Sequence, residues 1–384
     1  MESYLPPSLH SLRVMECPEL KKIPLLPTSL VYLKLREVGL TNLPRIGKLL
    51  SEDVDDQESC LTTIEVTKCS DLVSLDGSFF DQKQYLGGVR HLLINENPKL
   101  EIVCLPFKAM TTLETLIIER CPKMRMLGGE EDVILTSSVT GLSIGLCGDL
   151  GLPLLVSLQY TTNLSDLVLD GSDMVSLPSA DVCSNLKSLR NLIIRGCDNL
   201  VSLGGLGSLP SLSDLNISGC CKLVEAARSS LTSDASGGEE EHQVAVLQLS
   251  SLFIDSPSLL FVQPLKSMCH TRILSIQDAS GAEGLPERWL LQNCASLQFL
   301  NIYKAEFLPL SIRDLSSLQD LALYDGGKVQ SLPDLPLSLR KLCIQPCHPD
   351  LEKKIRGYRC PEQDKISHIP QMQIAGSSNK SPDH

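Results

Sequence analysis

Leu189-Arg190-Asn191-Leu192-Ile193-Ile194-Arg195-Gly196-Cys197-Asp198-Asn199-Leu200-Val201-Ser202-Leu203 carries the frame L-x-x-L-x-I-x-x-C-x-x-L-x-x-L. Around Leu192 and Ile194 the apolar period is two, the mark of a short half-buried strand. A small, nearly apolar cysteine then enters the turn, and Leu200 and Leu203 continue the apolar set. An isolated copy could not bury these side chains. Stacked copies could, because each strand pairs with the next and the apolar positions merge into one core.

The frame recurs along the chain, with first positions at Leu9, Leu30, Leu61, Val89, Leu113, Val139, Leu164, Leu189, Leu212, Leu249, Thr271, Leu297, Leu318 and Leu339. These 14 copies are spaced mostly 21 to 28 residues apart, inside the period of leucine-rich repeats. The ninth position is Cys17, Cys69, Asn97, Cys121, Cys147, Cys197, Cys220 and Cys347 in eight copies, while Thr271 to Ala279 is degenerate. The expected fold is an α/β repeat solenoid, a leucine-rich-repeat horseshoe with a parallel β-sheet on its concave face. Returns rich in Leu-Pro, as at Leu43-Pro44, Leu177-Pro178, Leu308-Pro309 and Leu332-Pro333, disfavour helix at the residue before proline. They predict a mostly irregular convex side.

The expected layout is a lead-in at 1–8, repeats over 9–349, a C-terminal cap at 350–374 and a disordered tail at 375–384. Polar, acidic inserts fall near 46–59 and 229–242, a composition that reads as solvated loop. The cap would bring Ile355, Ile366 and Ile369 onto the last coil. A full repeat beginning at Leu9 without a polar cap suggests a fragment or a truncated gene product, since a bare solenoid end exposes its core.

At 384 residues the chain exceeds one ordinary globular domain, but a solenoid core grows linearly because each repeat touches only its neighbours. The formal charge of −12 argues against nucleic acid and anionic membrane as partners of the whole surface. No apolar run reaches the ~18–20 residues of a transmembrane helix, and the first residues carry no signal-peptide pattern. Of the 15 cysteines, seven take the ninth frame position. That position faces the coil interior, where a free thiol acts as a small hydrophobe. The odd total and the missing secretion signal point to a reducing, cytoplasmic setting. There is no C-x-x-C pair, no histidine pair at i, i+4 and no G-x-S-x-G elbow. No metal, cofactor or enzymatic activity is expected.

What remains is surface. Frame positions three, five and seven point away from the core, to the concave face. Copies one and two place Arg13, Tyr32, Lys34 and Arg36 there, with Lys21 and Lys22 nearby, a basic cluster on an acidic protein. Copies four, five, seven and eight place Leu93, Ile117, Val168 and Ile193 at position five, a stripe interrupted by Ser143. Exposed apolar surface of this kind marks interaction sites. Copies 12 to 14 add Phe299, Tyr303, Tyr324, Arg340 and Lys341, the aromatic and arginine chemistry of interface hot spots.

The irregular L-x-x-L-x-I-x-x-C-P-x-L copies, such as Leu12 to Leu20 and Leu116 to Met124, resemble the repeat domain of plant intracellular nucleotide-binding, leucine-rich-repeat disease-resistance proteins, in particular the coiled-coil class from grasses. The ending Cys360-Pro361…Asp364-Lys365-Ile366-Ser367-His368-Ile369-Pro370 is similar to the Asp-Trp-x-Lys-Ile-x-His-Ile-Pro of that class, although the tryptophan is absent here. The resemblance implies a protein-recognition module in innate immunity with protein partners: its own or a separate nucleotide-binding module, and a pathogen effector or a guarded host protein. No G-x-x-x-x-G-K-[ST] phosphate loop occurs in this chain. The alternative is the substrate-recruiting repeat subunit of a ubiquitin ligase.

The cysteine reading makes a direct prediction. Cys69, Cys121, Cys197 and Cys220 should all be free thiols in the native protein. Mass spectrometry after unfolding and alkylation without reductant would instead find disulfide-linked peptides if the compartment were oxidising.

Overall fold

Each of the fourteen copies forms a strand that starts at its third frame position in the computed structural model, which describes residues 5–47, 60–75, 77–103, 105–126, 134–147, 157–233, 247–280, 284–357 and 361–376. The chain divides into two compact units, Met1–Cys197 with Leu209–Ser211, and Asp198–Ser208 with Leu212–His384. In the first, the eight strands from Ser11–Cys17 to Asn191–Arg195 form a parallel sheet, with a separate short pair of Ile102–Val103 and Arg125–Met126. The second holds seven sheet strands, from Asp214–Ser218 to Gln371–Gly376. Pairing within each unit runs in frame. Leu92 lies opposite Ile64 and Leu116, and Leu300 opposite Leu274 and Leu321. This is a leucine-rich-repeat solenoid.

The in-frame register makes the fourth and sixth positions the core, as alternation along a strand requires. Leu33, Leu35, Ile64, Val66, Leu215, Ile217, Leu342 and Ile344 are all fully buried. The eighth position turns the chain out of the strand in a left-handed conformation. Glu16, Glu37, Lys68, Glu96, Arg120, Leu146, Lys304 and Asp325 have φ between 50° and 56°, and Gly171, Gly196 and Gly219 occupy the same place in their copies. Only glycine takes this conformation without steric cost. The compensation is a forward hydrogen bond: the amides of Lys68, Glu96, Arg120, Leu146 and Gly171 each donate to the seventh-position carbonyl of the next coil, at 2.7–3.0 Å.

The ninth position satisfies carbonyls that the turn leaves behind. The Asn97 amide donates to Val66 O and Asn95 O, both at 3.1 Å, and its oxygen accepts from Cys69 N at 2.9 Å. Cys147 reaches the equivalent carbonyls, Ile118 O at 3.2 Å and Gly145 O at 2.9 Å. The thiol is thus a polar linker as well as a small hydrophobe. Cys69, Cys121, Cys147, Cys197, Cys220 and Cys347 are buried and in no disulfide. Cys17 departs from the expected interior placement: it is exposed, because Ser11–Cys17 is the terminal strand of its sheet and its Leu12 and Val14 are themselves only half-buried.

The returns are mainly short 3₁₀ turns, but they include the helices Ala180–Asn185, Cys221–Ser233 and Glu287–Gln292. The 13-residue helix Cys221–Ser233 corrects the expectation of a loop from 229, because residues 229–233 continue it. The remainder of that insert, 234–242, and residues 48–59 of the other lie outside the described residues. Ile46, placed at the edge of the first insert, is buried and exchanges two backbone hydrogen bonds with the Gln82 side chain, at 2.8 and 2.7 Å. At the C-terminus, Pro349–Arg356 and Pro361–Ile366 are helical, and Ile355, Ile366 and Ile369 are buried. Gln371–Gly376 then pairs with Lys341–Cys347, so Ala375 and Gly376 belong to a strand and not to a tail. His368 reaches Pro336 O at 3.0 Å, tying this segment to the preceding coil.

Asn97 offers a test of the ninth-position chemistry. Asn97→Ala strands the Cys69 amide in the core and takes a donor from Val66 O and Asn95 O, and each buried unpaired group costs about 1–3 kcal/mol. Asn97→Cys restores a donor for the carbonyls. Urea unfolding should show a loss of roughly 3 kcal/mol for the alanine variant and less than half of that for the cysteine variant; equal losses would mean that volume alone matters.

Candidate protein-recognition face

Positions three, five and seven form the solvent-facing rows of each sheet, and the register decides which side chains meet. In the first unit, Arg13 lies over the Tyr32 ring, 4.9 Å from its centroid. The Tyr32 hydroxyl donates to Glu65 Oε1 at 2.7 Å, and Lys34 Nζ lies 2.6 Å from Glu65 Oε2. Arg36 pairs with Glu37 at 3.3 Å, and Lys21 with Asp71 at 3.0 Å. The expected basic cluster is therefore a mixed one, largely neutralised by carboxylates. Glu65, at position five of the third copy, is the residue that changes its character. Among the described residues the Arg13 guanidinium has no carboxylate partner.

Burial raises the Glu65 carboxyl pKa, but the hydrogen bonds from Lys34 and Tyr32 outweigh it, and the net shift is downward. Tyr32 shifts upward through burial and its bond to Glu65. Behind this cluster, the hydrogen bonds from Lys99 and Lys21 hold Asp71 down to about 2. The eighth positions add a charge ladder: Lys68 lies 4.0 Å from Glu37 and 3.8 Å from Glu96, and Glu96 lies 3.2 Å from Arg120.

The apolar stripe is present in two pieces. Leu93 pairs with Ile117, and Val168 with Ile193, on adjacent strands. Between them sits Ser143, buried, with its hydroxyl hydrogen-bonded to the Glu119 carboxylate. All four stripe residues are half-buried and not prominently exposed. In the second unit, Tyr303 and Tyr324 stack with ring centroids 4.6 Å apart on paired strands, and Phe299 is half-buried at the other end of the Tyr303 strand. Lys341 opens its strand. Arg340 precedes that strand, exposed, and lies at its N-terminal end outside the three rows, because position two does not share their alternation. Phe253, at position five of the tenth copy and 38% exposed, joins the aromatic set. Reading position five in every copy would have found both Phe253 and Glu65.

No family model matches the chain. Over 216 residues, 55% of this chain, it is 29% identical to TMV resistance protein N of Nicotiana glutinosa. Over that stretch the chain is similar to a plant resistance protein. The similarity spans 17% of that relative's length. Among solved structures, an internalin of Listeria monocytogenes aligns over 97% of this chain and 83% of its own, with a TM-score of 0.39 and 15% identity. The plant peptide hormone receptor RGFR1, in complex with RGF2, aligns over 96% and 69%, with a TM-score of 0.26 and 13% identity. No helix among the described residues is long and apolar enough to cross a membrane.

The Glu65 cluster should be visible in acid titration. A depressed folded pKa contributes stability that is present above the unfolded carboxylate pKa and is lost as pH falls through the folded one. Glu65→Gln should therefore destabilise the protein at neutral pH by less than about 1 kcal/mol, as befits a solvent-screened pair. Its difference from wild type should vanish below the carboxylate range. A difference independent of pH, measured by thermal unfolding, would exclude the ion pair as its source.

Proposed function

We propose that this chain is a non-catalytic, cytoplasmic recognition module of plant innate immunity. It senses a pathogen effector or a guarded host protein and restrains a nucleotide-binding switch module, its own or a separate one. The observation that carries the reading is the division of chemistry along the strand rows. Copies one to three present the Arg13, Tyr32, Lys34, Glu65 and Arg36 cluster, and copies ten to thirteen present Phe253, Phe299, Tyr303 and Tyr324. Similarity to a resistance protein supports the biological setting.

The charged cluster suits a contact that must form and release, because exposed ion pairs are screened within about 8 Å at physiological ionic strength. We assign it to the switch module. The aromatic set suits ligand capture, since buried aromatic anchors dominate interface energetics. The stripe of Leu93, Ile117, Val168 and Ile193 extends the apolar contact area of the first unit.

In the complete receptor, Arg13→Glu with Arg36→Glu should give signalling without ligand while leaving the Lys34–Glu65–Tyr32 contacts in place. Tyr303→Ala with Tyr324→Ala should abolish the response to ligand and leave the resting state unchanged. A hot-spot truncation costs at least about 2 kcal/mol, roughly thirtyfold in affinity. A cell-death assay with protein levels checked by blot reads both. Wild-type behaviour of both double variants would remove the recognition role from these rows.

A further inference from the structure

The solvent-facing rows of the second unit form a trough. Ser275, Asn301, Ala322 and Cys343 succeed one another at position five on four paired strands. They are short side chains, and Ser275, Ala322 and Cys343 are only 6%, 8% and 5% exposed. Larger residues stand on both sides, Ile273 and Phe299 at position three, and the stacked Tyr303 and Tyr324 at position seven. Phe253, on the strand before Ser275, closes one end.

The dimensions favour an extended occupant. Four residues separate the two walls along each strand, roughly 13 Å between backbones, and four strand steps from Phe253 to Cys343 cover about 19 Å. An extended chain spans that length with about six residues. A helix, ~10–12 Å across with its side chains, would meet the aromatic walls before reaching the floor.

The charge and hydrogen-bonding groups narrow the chemistry. The rows of the trough's strands carry Asp255 and Asp320 against the one lysine, Lys341, which lies in register with Asp320, and Asp214 stands on the next strand beyond Phe253. Asp214 and Asp320 make no ion pair among the described residues. Asp255 Oδ2 accepts from Gly219 N at 2.6 Å, while its buried Oδ1 has no hydrogen-bond partner. On the floor, the Asn301 amide donates to Ser275 Oγ at 3.0 Å, and its side-chain oxygen is an acceptor of the kind a peptide N–H can use.

We propose that this trough takes an extended, positively charged segment of a partner protein, about six residues long, whose apolar side chains pack between the Phe299 and Tyr303–Tyr324 walls. The proposal rests on the recognition reading above and specifies its ligand. The test is selection of a displayed random-dodecapeptide library on the full chain, with Ala322→Leu, which raises the floor, and Asp320→Asn, which removes a surface carboxylate. Wild type should enrich peptides rich in Lys or Arg and apolar residues, with binding weakened at least about tenfold by either variant. Thermal unfolding verifies that each variant is folded, and Asp320→Asn decides alone if Ala322→Leu is not. No enrichment, an acidic enriched pool, or peptides held equally by wild type and variants would overturn the trough. Loss of the cell-death response in the tyrosine double variant alongside any of those results would leave the recognition reading standing without it.

Discussion

The carbonyl at the second frame position accepts two amides from the following coil. His10 O takes Val31 N and Tyr32 N, Ser165 O takes Arg190 N and Asn191 N, and Gln298 O takes Gln319 N and Asp320 N. At the other end of the strand, the eighth-position amide donates to the seventh-position carbonyl of the next coil, as Arg120 N does to Gly145 O. In copies three to seven, twelve and thirteen two clamps of opposite direction bracket the strand, and a slip of one residue would break both. Such a slip would also send the fourth and sixth side chains into water. Backbone hydrogen bonding and apolar burial thus demand the same register, and that register places every side chain of the open rows.

The eighth and ninth positions show how the turn is kept at low cost. A left-handed residue other than glycine is strained by about 1–2 kcal/mol, yet charged side chains hold that place in most copies. Their amides make the forward clamp, and their side chains reach across coils, as in the Glu37, Lys68, Glu96 and Arg120 ladder. Where the place is glycine, a neighbour moves in: the Leu146 side chain lies so near Gly171 that a Cβ there would sit 2.2 Å from it. The ninth position answers a separate demand, a small side chain that can donate in the interior. Asparagine and cysteine both meet it, which explains their interchange between Asn97 and its neighbours Cys69 and Cys121.

Strand starts, the buried rows and the repeat count were legible because each rests on local periodicity repeated many times. Exceptions arise where a coil lacks a described neighbour or where long-range charge intervenes. Cys17 matches the frame and is exposed because its strand is terminal. The basic cluster failed as a description because Glu65 is 31 residues from Lys34 in sequence and adjacent only through strand pairing. The helix Cys221–Ser233 was obscured by a serine-rich continuation whose composition alone reads as loop. The trough could not be seen from composition, since its floor is defined by the smallness of Ser275, Ala322 and Cys343 relative to the rows beside them.

These differences in local chemistry set what each face can do. In the first unit, charged side chains mostly satisfy one another, as in Lys34 with Glu65, Asp71 with Lys21 and Lys99, and Glu96 with Lys68 and Arg120. Each exposed pair contributes about 0–1 kcal/mol, so an incoming acidic surface can exchange partners with small loss on either side. Contacts made this way associate fast and respond strongly to salt and to competing charge. In the second unit, the aromatic walls and the unpaired Asp214 and Asp320 offer nothing to exchange; a ligand there replaces water over apolar rings, and its lifetime follows from the packing. Each unit's sheet presents its own chemistry: exchangeable ion pairs in the first, apolar rings and carboxylates without an ion pair in the second.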